Sequence, residues 1–92
     1  MTEDTTLRMV ERADDSRSAF TFGERAVGLT FNPSGDPLVL DLKQKAAAFI
    51  DACNVGREIG ADAEVKRMYS VAITEAQTAQ MWAVKAATWR PK

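Results

Sequence analysis

Arg67, Ser70, Thr74, Thr78 and Lys85 fall on one line of a 3.6-residue helix, so two cations flank three hydroxyls. A guanidinium offers paired donors and a hydroxyl offers one, a set that suits phosphate oxygens. The same residues also describe a solvated face whose charges and hydroxyls meet only water. Threonine is an indifferent helix former, so two of them one turn apart in an alanine-rich segment ask for a reason. Lys43 poses the same choice, between a boundary lysine with an apolar stem and a phosphate ligand. Trp82 and Trp89 read as interface packing or as a stacking platform for bases, and packing is favoured.

Catalysis is hard to place on this chain. It has no histidine to serve as a base near neutral pH. Neither a phosphate-cradling glycine loop nor a nucleophile elbow is present. Asp41 and Asp51 point to different sides of one helix and cannot work as a pair. Cys53 lies inside an apolar stripe and reads as a core residue, since free cysteine is among the most buried types. With one cysteine and no histidine, an internal disulfide is excluded and a zinc site is not expected. The expectation is a binding protein without cofactor or metal, not an enzyme.

Charge narrows the ligand. Twelve basic and thirteen acidic residues give a net charge of −1, a poor footprint for a duplex DNA binder. A local pocket for a small anion remains compatible with that balance. No apolar run approaches the ~20 residues that span a bilayer, and the polar start MTEDTTLRMVERADDSRS lacks the apolar stretch of a secretory signal. The lone cysteine fits a reducing compartment, so a cytosolic location is expected.

The elements that must position these residues divide the chain into three zones. Residues 1–18 are polar and mixed in charge, and carry a helical turn around Leu7–Arg12 or no fixed structure. Over residues 19–35, Phe20, Phe22, Val27, Leu29 and Phe31 alternate around Gly23 and Gly28, which predicts extended structure ending in a turn at Asn32–Gly35. Asp36 then caps a helix with Pro37 at its first position. Its apolar stripe runs Leu38, Val39, Leu42, Ala46, Phe49, Ile50 and Cys53, with Lys43 and Lys45 on opposite edges. Gly56 is the expected stop, Val55–Ala61 the link and Asp62 the cap of a second helix. That helix runs for about 27 residues, or ~40 Å, and ends before Pro91. The predicted fold is all-α: an antiparallel helical hairpin over residues 32–92, preceded by a variable, irregular or extended segment over 1–31.

Ala72, Ala76, Ala79, Ala83 and Ala86 share one face of the second helix, beside a line of Met68, Val71, Trp82 and Trp89. An alanine face permits close approach but buries little apolar area. A 92-residue chain with no disulfide or metal to staple it therefore points to a homo-oligomer.

From Asn32 onward the chain resembles the small phage-encoded helical-hairpin family that includes the anti-CBASS and anti-Thoeris cyclic-nucleotide sponges. The likeness is carried by Arg67 and then by Thr74-Glu75-Ala76-Gln77-Thr78-Ala79-Gln80-Met81-Trp82-Ala83. In the first helix, Asp41-Leu42-Lys43, with Lys45 and the alanines that follow, is similar to the family's acidic-apolar-Lys segment. The resemblance implies a hexamer that sequesters cyclic di- or trinucleotides, or cyclic ADP-ribose isomers, between protomers in the cytosol of an infected bacterium. It implies that Lys43 meets a phosphate of a cyclic dinucleotide, and that Arg67, Thr74 and Thr78 form a second site suited to cyclic trinucleotides. The family's base-stacking aromatic precedes the first helix; no tyrosine stands there, and Phe31 or Phe22 is the substitute. The N-terminal thirty residues show no such likeness. A protein-binding or structural hairpin without a nucleotide ligand is the alternative, in which the polar strip is only surface.

Overall fold

The computed structural model describes residues 19–91; the turn considered around Leu7–Arg12 lies outside them. The described residues form three helices, α1 (Phe22–Val27), α2 (Pro37–Ile59) and α3 (Ala63–Ala87), and no strand. Helices α2 and α3 form the hairpin. Gly56 lies against Tyr69 beside the turn, while Val39 and Val84 share a cavity at the far end. Only antiparallel helices give that pairing.

Both long helices start where their caps dictate. The Asp36 carboxylate accepts from the Leu38 N–H at 2.9 Å, with Pro37 in the first turn. The Asp62 carboxylate does the same for Glu64 at 2.8 Å. Gly56, however, does not stop α2, which continues to Ile59 and is capped by Gly60. Gly56 is there for space: a Cβ at this position would overlap the Tyr69 ring packed against it. The connection to α3 shrinks accordingly to Gly60–Asp62.

The expectation of extended structure around Phe22 is also corrected. Residues 22–27 are helical because Thr21 and Glu24 form a reciprocal capping box. The Thr21 hydroxyl accepts from the Glu24 N–H at 3.0 Å, and Glu24 accepts from the Thr21 N–H at 2.9 Å. Gly28 closes the helix in the left-handed region at φ 62°. The alternating phenylalanines are divided between two jobs: Phe22 packs on the core, and Phe31 projects into solvent.

Val27, Ala47, Ile50, Cys53 and Ile73 make the core, with Phe22, Ala26, Leu29 and Tyr69 packed around it. Cys53 is buried there, as its place in the apolar stripe predicted. That stripe proves to be two faces. Its Val39, Ile50 and Cys53 turn inward, joined by Lys43 and Ala47 from outside the stripe, whereas its Leu38 and Phe49 are exposed. Helix α1 seats on α2 through Gly23, whose N–H donates to the Asp51 carboxylate at 2.6 Å. Gln77 ties α1 to α3 by donating to the Ala26 carbonyl at 3.3 Å.

A Cβ on Gly23 would overlap the backbone carbonyl of Ala47, which cannot swing aside as a side chain can. Gly23→Ala is therefore expected to lower stability by about 1–3 kcal/mol through overpacking. That loss should exceed the ~0.5–1 kcal/mol that alanine returns in helix propensity. Denaturant unfolding that leaves the midpoint unmoved would show that α1 is not seated this way.

Candidate functional site

The segment between α1 and α2 is short and heavily hydrogen bonded. Left-handed Gly28 reverses the chain, and its carbonyl accepts from the Phe31 N–H at 2.9 Å. A second turn closes from the Gly35 N–H to the Asn32 carbonyl at 3.0 Å, with Gly35 at φ 66°. The Asn32 amide reaches on to the Asp36 carbonyl at 3.0 Å, and the Ser34 hydroxyl donates to Asn32 Oδ1 at 3.2 Å. These contacts fix the loop that carries Phe31 directly onto the start of α2.

Lys43 locks the loop from beneath. Its Nζ donates to the Gly28 carbonyl at 2.9 Å and to the Phe31 carbonyl at 2.5 Å, and lies 5.4 Å from the centre of the Phe31 ring. The residue is only 5% exposed. The sequence placed it on the edge of the apolar stripe; the two carbonyls draw it inside, because they replace the water its ammonium gives up. An ammonium has three N–H donors, so one is left for something else. Phe31 is 71% exposed.

The Phe31 ring and the Lys43 ammonium border one cavity of about 290 Å³. Val39 of α2 and Val84 of α3 supply its apolar wall, and Asn32, Ser34 and Thr88 its polar edge. Sequence reading missed these last residues, although the Asn32–Gly35 turn and the threonine ending α3 were both visible. Thr88 spends its hydroxyl on the Val84 carbonyl at 2.8 Å, which caps α3. The apolar wall, flat ring and single cation suit a base with a nearby phosphate. Phe22 is not part of this group; it lies under Arg57, whose guanidinium carbon is 5.5 Å from its ring centre.

The α3 strip is a separate place. Arg67 and Thr74 are exposed and Thr78 is half-buried. The cavities beside Phe31, beside Phe20, along the α2–α3 groove and beside Trp82 are all lined by other residues. Arg67 already has a carboxylate: Nε and Nη2 donate to the two oxygens of Glu64 at 3.0 and 2.7 Å. That hydrogen bonding holds the Glu64 carboxyl below its ordinary range and raises Arg67. Thr78 donates back to the Thr74 carbonyl at 3.2 Å.

Across the molecule, Leu42, Ala46, Phe49, Ala76, Ala79 and Ala83 line an open apolar groove of about 380 Å³. Gln80 borders it with a buried Oε1 that has no hydrogen-bond partner. Trp82 and Trp89 stand 66% and 62% exposed beyond it, and Lys85 lies 5.3 Å from the Trp82 ring centre. Among the described residues no group of acidic, cysteine or histidine side chains could hold a metal, and no helix is long and apolar enough to cross a membrane.

The family profile described as the Acb2/Tad1 hairpin domain matches residues 24–88, which span all but the first two residues of α1 and the whole of α2 and α3. The chain belongs to this family. Acb2/Tad1 hairpins are the anti-CBASS and anti-Thoeris sponges, binding proteins and not enzymes. Comparison with curated proteins and with solved structures gave no match. The Acb2/Tad1 match begins within α1, in keeping with the way that helix is seated on the hairpin.

Lys43→Met keeps the apolar stem but removes the donors that hold the Gly28 and Phe31 carbonyls. Stability is expected to fall by about 1.5–3 kcal/mol, the range for hydrogen bonds to a charged group. Amide exchange at Phe31 and Gly35 is expected to accelerate. Unchanged exchange at both would mean that the lysine does not clamp the loop.

Proposed function

We propose that this protein binds and sequesters cyclic oligonucleotide second messengers without cleaving them, acting for a phage in the cytosol of its bacterial host. The observation that carries the reading is the convergence of Phe31 and Lys43 on one cavity in a chain of the Acb2/Tad1 family. An aromatic face stacks a base while the third ammonium N–H meets a phosphate. The loop is already ordered, so less conformational entropy is lost on binding.

In this reading Lys43 and Phe31 serve cyclic dinucleotides, and Arg67, Thr74 and Thr78 form a second site for cyclic trinucleotides. A cavity of about 290 Å³ sits at the low end of small-molecule sites. Each protomer therefore encloses part of a ligand, and a homo-oligomer, a hexamer by family likeness, completes the enclosure. The exposed groove along Ala76, Ala79 and Ala83 and the solvent-facing Trp82 support self-association. The unpaired Gln80 Oε1 supports it too, since a partner's donor would satisfy that atom. The hairpin over residues 32–92 supplies Lys43 and the α3 strip, and Phe31 reaches it from the segment just before. DNA and membranes are not its targets.

Calorimetric titration against cyclic di- and trinucleotides and cyclic ADP-ribose isomers tests the reading. Lys43→Glu is expected to weaken cyclic dinucleotides by well over tenfold, from a lost charge-assisted contact with added repulsion. Arg67→Ala combined with Thr78→Ala should weaken trinucleotides and spare dinucleotides. Affinities unchanged in both variants would favour a protein-binding hairpin instead, and joint loss of both ligands would mean one composite site. Heat should release the ligand intact; a linearised product would make the protein a nuclease.

Ala79→Glu tests the assembly. A carboxylate placed in the alanine groove is overpacked and unpaired once a partner covers it, so the oligomer should dissociate or unfold. Light scattering that reports a well-folded wild-type monomer would end the oligomer reading.

A further inference from the structure

Arg57, on the last turn of α2, is a half-buried cation with neutral partners. Its Nη1 donates to the Ser70 hydroxyl at 3.0 Å and its Nη2 to Asn54 Oδ1 at 2.8 Å. The Phe22 ring backs the guanidinium plane at 5.5 Å. Among the described residues no carboxylate pairs with it. A guanidinium has five N–H donors, so three remain after Asn54 and Ser70 are served.

The partner residue gives Arg57 its address. Ser70 stands three residues after Arg67 and four before Thr74 on α3, so all three are surface neighbours on one flank of the helix. Arg57 thus reaches from α2 onto the edge of the Arg67–Thr74–Thr78 strip. The two arginines differ in what already occupies them. An incoming anion at Arg67 must displace the bidentate Glu64 carboxylate, whereas at Arg57 it meets an unneutralised charge. The fork of Arg57 is also held still by two hydrogen bonds and a ring, so little side-chain entropy is lost when a ligand arrives.

We propose that Arg57 is a preformed phosphate-binding residue of the α3 site, contacting a phosphodiester oxygen of a cyclic trinucleotide beside Thr74. This rests on the sponge reading for the identity of the anion. A purely structural role, tying α1, α2 and α3 together and easing the α2 dipole, would use the same protein contacts but would leave the free N–H groups in water.

The full-length chain, as wild type, Arg57→Gln, Arg57→Lys and Lys43→Glu, is titrated with a cyclic trinucleotide and a cyclic dinucleotide, and melting and oligomeric state are recorded for each. Arg57→Gln is expected to weaken the trinucleotide about ten- to a hundredfold, the loss of one charge-assisted contact. It should leave the dinucleotide within about twofold and keep the oligomer. Arg57→Lys, with its charge but not its fork, should fall between. To keep the test independent of variant folding, the wild-type Arg57 Nε–H resonance is followed as well, and it should shift on saturation with trinucleotide. Full trinucleotide affinity in Arg57→Gln, or an unmoved Nε–H resonance in the saturated wild type, overturns the proposal while leaving the sponge reading intact. Wild-type protein that binds no cyclic nucleotide overturns both.

Discussion

Small residues set the distances in this protein, and those distances limit how much it can bury. Gly23 brings α1 onto the backbone of α2, Gly56 admits the Tyr69 ring, and alanines face the α2–α3 groove. Close approach gives good van der Waals contact per atom, but alanine and glycine remove little apolar surface from water. The core is correspondingly thin, with Ile50 and Val39 its largest fully buried side chains. Phe49, Met68, Met81, Trp82 and Trp89 are left outside. These exposed side chains and the orphaned Gln80 oxygen are the surface that the proposed self-association would cover.

Within that frame, polar side chains do the joining that a larger core would do. Lys43 ties the loop to α2, Arg57 ties α2 to α3, and Gln77 ties α3 to α1. Each is a long side chain reaching a backbone carbonyl or a hydroxyl, and none depends on an opposite charge. Their cations therefore keep an unneutralised field at the places where an anionic ligand is proposed to sit. Stability and recognition draw on the same atoms here. An Acb2/Tad1 hairpin that binds phosphates needs no excess of basic residues, and the net charge of −1 is consistent with that economy.

What the sequence disclosed and what it concealed follow from the range of the interactions. Asp36, Pro37 and Asp62 act within one turn of their helix starts, so the hairpin was legible from them. Thr21 and Glu24 are equally local, and their capping box outweighs the strand-like alternation of the phenylalanines. Gly56 could not be read correctly from its neighbours, because the reason for it is Tyr69 on the other helix. The burial of Lys43 depends on carbonyls twelve and fifteen residues away, and a wheel drawn for α2 alone puts the residue on an edge. The proposed Phe31–Lys43 pairing came from family likeness, whereas Arg57 stood outside every motif. Its place became visible only when α2 and α3 were laid together.

The Glu64–Arg67 pair gives the α3 strip a character of its own in salt. An arginine facing only water loses affinity for an anion as ions screen it. In the proposed trinucleotide site Arg67 would choose between two anions, its own carboxylate and a visiting phosphate, and salt would weaken both bonds together. The difference between them, which is all that binding senses, changes much less. A ligand exchanged for Glu64 would therefore meet a contact buffered against the ionic strength of the cell around it.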